Sequence, residues 1–79
     1  MEHELKIKPE YFTAIADGRK TFGVRYNDRG FHVNDTLRLM EHTGEEYTGR
    51  VLEAKVTYLL DDKNYCKEGY VVMAIKLIS

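Results

Sequence analysis

The chain has 79 residues, 43% of them hydrophobic and 32% charged, which predicts one small globular domain over residues 1–79 rather than a disordered chain. Its 12 basic and 13 acidic residues give a formal net charge of -1, which argues against a protein that grips long duplex DNA by bulk charge. A local cationic cleft stays compatible with this balance. The single cysteine, Cys66, excludes an intramolecular disulfide and, with three scattered histidines, indicates no metal site.

Neither a signal-peptide core nor an apolar run of membrane length is visible in the sequence. We therefore expect a cytoplasmic protein without a membrane partner or a cofactor. A monomer or weak dimer is expected.

The first elements are a strand and a helix. Residues 4–8 alternate charged and apolar side chains, which predicts a half-buried strand. Proline suits the first turn of a helix and glycine its end, so Pro9 and Gly18 predict an amphipathic helix over Pro9–Asp17. A second strand is predicted over residues 21–25, with Phe22 and Val24 on one face.

Three further strand patterns cover residues 36–41, 50–60 and 69–78, and turn-forming residues separate them. In the longest of these strands one face is predicted to hold Leu52, Ala54, Val56 and Tyr58. The last strand is apolar on both faces and is therefore expected to be covered on both sides. About five strands and one early helix predict an α+β, mainly β fold, a small and partly open β-barrel closed by the helix.

Residues 17–30 carry the densest positive charge, with Arg19, Lys20, Arg25 and Arg29 against two acids. Lys20 can act as a cation for phosphate or, with a pKa lowered by burial, as a base; the alternative is a solvated lysine on a turn. Arg25 and Arg29 suit bidentate recognition of phosphate or carboxylate, and the alternative is pairing with nearby aspartates.

Aromatic side chains offer stacking surfaces for a nucleic-acid base, or they pack at the rim of the barrel. The candidates in this sequence are Tyr26, Tyr58 and Tyr70.

The motif Gly18-x-Lys20-x-x-Gly23-x-Arg25 resembles the signature Gly-x-Lys-x-x-Glu-x-Arg of the ASCH superfamily, whose members share the fold of PUA RNA-binding domains. Three of the four positions match, and Gly23 stands in place of the Glu. Along nearly its whole length the chain resembles a small bacterial and phage branch, the domain-of-unknown-function family 3850. The matching stretches are residues 3–12, 20–22, 25–29, 33–35, 47–50, 56–60 and 69–72.

This resemblance implies a β-barrel with a cleft beside the helix, lined by Lys20 and Arg25, that binds RNA or a nucleotide. Some small bacterial members of the superfamily instead hydrolyse the acetyl amide of N4-acetylcytidine, using a Thr nucleophile at the position of Gly23. A glycine cannot supply that nucleophile. If the chain were such a hydrolase, its catalytic residues would be Lys20 and Thr21.

The sequence therefore favours a PUA-like module that binds RNA or a nucleotide rather than an enzyme. The predicted ligand-binding residues are Gly18, Lys20, Arg25, Tyr26, Arg29 and Tyr70. Two alternatives stay open: an amidohydrolase acting on an acylated nucleoside, and a phage-type module that binds a host protein without catalysis.

Overall fold

A computed structural model describes residues 1–78, and in this range it contains one helix and five strands. In chain order these are β1 (Glu2–Ile7), α1 (Pro9–Ala16), β2 (Phe22–Tyr26), β3 (Thr36–His42), β4 (Tyr47–Leu60) and β5 (Tyr70–Leu77). The predicted α+β, mainly β class with one early helix is confirmed. None of the described residues forms a helix long and apolar enough to cross a membrane.

All five strands belong to one mixed sheet in the order β1-β3-β4-β5-β2. β1 is parallel to β3, and the other neighbouring strands are antiparallel. Arg25 on the edge strand β2 nevertheless donates from Nη2 to the carbonyl oxygen of Lys6 on the opposite edge strand β1, over 2.8 Å. The sheet must therefore curl until its two edges face each other. We call the gap between β1 and β2 the seam of this half-barrel.

The hydrophobic core fills the concave side of the sheet. Its buried members are Leu5, Ile15, Phe31, Leu37, Leu39, Ala54, Val56, Val71, Met73 and Ile75. α1 contributes Ile15 to this core and also buries Phe12. Pro9 stands in the first turn of the helix, and Gly18 follows its end with a φ of 85°, a left-handed conformation that glycine adopts without strain.

A β-bulge in β4 changes which side chains reach the core. Val56 is paired with Ile75 and Tyr58 with Ala74, so two steps along β4 match one step along β5. The extra residue turns Tyr58 outward, where it is 64% exposed, and turns Leu59 towards the core. The prediction that Tyr58 shares a face with Val56 is wrong, because it assumed uninterrupted alternation.

The outer face of β5 also differs from its prediction. Tyr70, Val72 and Ala74 are half-buried there by their neighbours in the sheet, while α1 packs against β3 instead. The expectation that β5 is covered on both sides is therefore wrong. Apolar side chains on the second face of this strand do not indicate a second layer within residues 1–78.

Three polar side chains are buried, and each has a structural partner. The Nε2 atom of His3 lies 2.9 Å from Oδ2 of Asp35, which also accepts the backbone N–H of His32 over 3.0 Å. Glu41 accepts a hydrogen bond from Oγ1 of Thr48 over 2.6 Å, and the guanidinium of Arg50 lies 3.5 Å away. These groups hold the ends of β1, β3 and β4 together.

Candidate functional site

A cleft of about 550 Å³ opens where the seam meets α1. Its floor is the apolar core, and no acidic residue among residues 1–78 lines it. The basic residues along it are Lys6, Lys8, Lys20 and Arg25, and the aromatic residues are Tyr11 and Phe22. A cationic rim above an apolar floor suits an anion that carries an apolar or aromatic body.

Lys20 reaches the cleft because the chain folds back after α1. Gly18 allows this reversal, and the backbone N–H of Lys20 then donates to the carbonyl of Ala14 over 2.9 Å. The ammonium of Lys20 donates to the carbonyl of Phe22 over 2.6 Å and lies 4.6 Å from the centre of the Phe22 ring. Burial lowers the pKa of Lys20, and the positive charge of Arg25 lowers it further.

Arg25 lies on the seam and lines the cleft with its backbone held in β2. Burial lowers the pKa of Arg25, as does the nearby charge of Arg29, while Asp28 opposes the shift. An arginine keeps its charge at neutral pH even so, since its ordinary pKa lies far above 7. One Nη donates to Lys6, which leaves other N–H groups of the guanidinium for a ligand.

Arg29 lies beside the cleft rather than in it. It borders a neighbouring groove, together with Arg25 and Tyr47. Its Nη1 donates to the carbonyl of Glu4 on β1, and its Nε lies 4.0 Å from Asp28. The guanidinium is thus engaged mainly by the edge strand.

Lys20, Arg25 and Arg29 share one structural role, because each donates to a carbonyl on the outer edge of β1 or β2. In an antiparallel ladder alternate residues direct their backbone groups to opposite sides. Since the carbonyl of Thr21 accepts from Ile75 on β5, that of Phe22 points away from β5 towards Lys20. The basic side chains therefore occupy carbonyls that have no partner strand and are fixed in place by doing so.

Sequence reasoning missed the part of the site contributed by β1 and α1. Tyr11 is 47% exposed, and its ring centre lies 6.0 Å from the ammonium of Lys8 and 5.5 Å from that of Lys20. Lys8 is the N-cap residue of α1 but makes no side-chain capping bond. The signal in the sequence was the lysine pair flanking Ile7, which was read only as the polar side of a strand.

Three predicted binding residues lie elsewhere. Tyr26 and Tyr70 form an edge-to-face pair, with ring centres 5.5 Å apart, on the outer face of the sheet. Neither is among the residues that line the cleft, and neither is Gly18, whose contribution is to turn the chain. Lys20 and Arg25 are the two predicted residues that the fold brings to the cleft together.

Gly23 lines the cleft, and a Cβ at this position would meet no atom within 4 Å. The glycine is therefore not required by packing. Thr21 does not line the cleft, and among residues 1–78 no hydrogen bond joins it to Lys20. This arrangement lacks the nucleophile and base in contact that amide hydrolysis uses. In the described part of the chain no cluster of three or more His, Cys, Asp or Glu could hold a metal ion.

Comparison with known proteins gives two matches. The chain is similar to the "Uncharacterized 12.9 kDa protein in GpA 3'region" of Escherichia phage P2, with 35% identity over 71 residues. The matched stretch is 90% of this chain but 64% of the phage protein, so the chain spans under two thirds of that relative's length. Residues 2–75 match the family described as "Domain of unknown function (DUF3850)". Since this match covers most of the chain, the protein belongs to the DUF3850 family, as its resemblance predicted.

Proposed function

We propose that the protein binds a nucleotide or a short stretch of single-stranded RNA in the cleft between β1, β2 and α1. The observation that carries this proposal is the charge of the cleft, where four basic residues and no acid of the described chain surround an apolar floor. The whole chain has a net charge of -1, so this positive charge is local and not a consequence of composition. An anionic ligand is therefore attracted to one place on the molecule.

Phosphate is held by Lys8, Lys20 and Arg25 in this proposal. Lys20 and Arg25 are fixed by their bonds to edge carbonyls, so little side-chain freedom is lost when a ligand binds. The side chain of Lys8 makes no capping bond to the helix and can turn towards the ligand. A guanidinium and two ammonium groups together present three positive charges to the phosphate.

The base is stacked on Tyr11 or Phe22, which line the cleft and are 47% and 45% exposed. Stacking on an aromatic side chain is worth roughly 1–3 kcal/mol per base and tolerates any sequence. These two rings take the place of Tyr26 and Tyr70, which face away from the cleft. A volume of about 550 Å³ is large enough for one nucleoside unit, with the chain of an RNA leaving along the seam.

Membership in the ASCH or PUA-like superfamily is part of the same proposal. The motif residues Lys20 and Arg25 both lie on the rim of a cleft beside the helix, as that resemblance implies. The half-barrel with one early helix fits the fold that it implies. The Gly at position 23 departs from the superfamily motif and removes a negative charge from the cleft.

The test is fluorescence anisotropy with a short labelled single-stranded RNA, at low and at moderate salt. Lys8→Ala is the main variant, because Lys8 holds no edge carbonyl and its loss leaves the fold intact. Lys63→Ala, in the exposed loop after β4, is the matched control. We expect Lys8→Ala to weaken binding about tenfold. The slope of log affinity against log salt concentration should fall by about one, the value of one lost phosphate contact. Lys63→Ala should bind like wild type.

Lys20→Ala is the second variant, measured together with its free energy of unfolding because Lys20 also holds the carbonyl of Phe22. A larger loss of affinity than of stability is expected. Binding that is insensitive to salt, or equally affected by Lys8→Ala and Lys63→Ala, would contradict the proposal. So would the absence of binding at high protein concentration to both RNA and mononucleotides.

A further inference from the structure

The convex side of the sheet carries a second surface, which borders the cleft at Phe22 and Val24 and extends away from it. Three cross-strand rows of uncharged side chains lie there side by side, defined by the register of β2, β5 and β4. The rows are Phe22–Ala74–Tyr58, Val24–Val72–Leu60 and Tyr26–Tyr70. We call these eight residues the outer patch.

The outer patch is exposed to an unusual degree for apolar side chains on an edge strand. Phe22, Val24 and Tyr26 are 45%, 55% and 57% exposed, and they occupy every outward position of β2. An antiparallel strand with one solvated face normally has polar side chains on that face. Contiguous apolar surface of this kind marks an interaction site in a soluble protein.

Two aromatic rings of the patch, those of Tyr26 and Tyr70, are held by packing contacts. Gly69 has a φ of 85°, and a Cβ at this position would lie 2.5 Å from Cε1 of Tyr26. The Tyr26 ring therefore packs directly over the glycine while its edge meets the ring of Tyr70. Tyrosines fixed in this way lose little conformational entropy when a partner covers them.

Charged side chains flank the two ends of the patch with opposite sign. At the end beyond the Phe22 row, the ammonium of Lys20 lies 4.6 Å from the centre of the Phe22 ring. The same end carries the cross-strand pair of Lys55 and Lys76, and Glu53 lies further along β4. Beyond the Tyr26 row the chain carries Asp28, Asp61, Asp62 and Glu68, with Arg29, Lys63 and Lys67 among them. The patch thus has a basic end and an acidic end.

We propose that a second copy of this chain packs on the outer patch, sheet against sheet, with the strands of the two copies running in opposite directions. The two-fold axis then lies between the sheets and perpendicular to the strands, so the basic end of each copy faces the acidic end of the other. The eight residues in the middle are uncharged and place no like charges together. A net charge of -1 adds little long-range repulsion between copies.

The size of the patch sets the strength of this dimer. Three exposed aromatic rings contribute about 100 Å² each, and the five other residues bring the face to roughly 500 Å². Two copies bury about 1,000 Å², which is at the lower limit for a specific interface. The dimer is therefore weak and forms at high protein concentration, and it covers Phe22 and Val24 at the border of the cleft.

Sedimentation velocity over a wide range of protein concentration tests this interface. We expect a reversible monomer–dimer equilibrium that Val24→Lys weakens at least tenfold, because two lysines per dimer would be buried in an apolar contact. Val33→Lys is the matched control, since Val33 is 46% exposed but lies in a turn outside the patch. Tyr58→Lys, on the interior strand β4, repeats the test in case a lysine on edge strand β2 disturbs folding. Circular dichroism of each variant reports the fold.

Raising the salt concentration is expected to weaken the dimer severalfold, because the basic and acidic ends attract each other. Dimerisation that salt leaves unchanged would overturn the opposed orientation. A protein that stays monomeric at millimolar concentration would overturn the proposal as a whole, as would a dimer that both Val24→Lys and Tyr58→Lys leave intact. These results concern the dimer, whereas binding in the cleft is tested through Lys8→Ala, at a residue that lies outside the outer patch.

Discussion

A basic side chain at the edge of a sheet can bond to the backbone and still present its charge to solvent. Lys20 and Arg25 each use one donor on a carbonyl of an edge strand, and each has further N–H groups. The alternatives to ligand binding were a solvated Lys20 and an Arg25 paired with an aspartate. In the structure both side chains instead donate to backbone carbonyls. Structural and ligand-binding roles are compatible in these residues.

Gly23 offers a direct test of the charge in the cleft. Gly23→Glu introduces the acid that the superfamily motif has at this position, in a place where a side chain meets no neighbour. We expect Gly23→Glu to fold normally and to bind RNA about tenfold more weakly than Gly23→Gln, because only the charge differs between the two variants. Anisotropy titrations of both variants check this. Equal affinities would show that the cleft does not recognise its ligand through charge.

Asp35 gives the fold a predictable response to acid. Burial by itself raises the pKa of Asp35, but hydrogen bonds from His3 and the backbone N–H of His32 lower it to about 2, below the ordinary value of 3.8. A pKa that is lower in the folded state stabilises the fold fully above the ordinary pKa and ceases to do so as the pH falls towards the folded-state value. This contribution is therefore lost between about pH 4 and pH 2.

Asp35→Asn is expected to lower the free energy of unfolding at neutral pH by about 1–3 kcal/mol, because an amide replaces a charged acceptor for buried donors. The difference between wild type and variant should shrink between about pH 4 and pH 2, where wild-type Asp35 becomes protonated. Urea unfolding at a series of pH values measures it. A difference that stays constant over this range would contradict the assigned role.

At the scale of the strands, the seam is held by side chains instead of a ladder of backbone bonds. Arg29→Met keeps the apolar stem of the side chain but removes the hydrogen bond to the carbonyl of Glu4. The guanidinium is 43% exposed, so solvent reduces the effect, and we expect a loss of about 1 kcal/mol in the free energy of unfolding.

Arg38→Met is the control for this substitution. Arg38 is similarly exposed, at 45%, and its Nε lies 3.9 Å from the carboxylate of Glu4, an ion pair worth little at the surface. Urea denaturation of both variants compares them. If Arg38→Met were as destabilising as Arg29→Met, the carbonyl contact would have no special part in closing the sheet.

Most of the elements could be predicted from the sequence because their signals are local. The Pro9 and Gly18 signals bound the helix to within one residue, and alternation of apolar side chains located all five strands. The bulge between Val56 and Tyr58 could not be predicted, because it depends on the register with β5 and leaves no trace in composition. The lack of a second layer over β5 was also missed, because the cover of a strand depends on how the whole sheet packs.

The candidate site was predictable only on one side. The motif identified Lys20 and Arg25, which lie close together in sequence. Lys8 and Tyr11 come from the other side of the cleft, and only the curl of the sheet brings β1 opposite β2. Tyr26 was predicted to stack on a base beside Arg25, but it directly follows Arg25 on β2, and neighbours on a strand point to opposite faces.

At the scale of the whole molecule, the strand order predicts which parts open first. Ala54 and Lys55 of β4 are paired with β3 on one side and β5 on the other, whereas β2 is paired with β5 alone among residues 1–78. We expect the slowest amide hydrogen exchange in the centre of β4 and the fastest strand exchange in β2, because an edge strand can detach without breaking the rest of the sheet. Exchange followed by NMR measures this order, and equal protection of β2 and β4 would contradict it.

The seam has a consequence for what the protein can admit. A closed barrel must break a ladder of backbone hydrogen bonds before its wall parts, whereas here two arginine contacts join the facing edges. Few hydrogen bonds therefore have to break before the two edges part, while the ladders between neighbouring strands stay intact. In the binding mode proposed above, a ligand wider than the resting cleft is admitted when the seam parts.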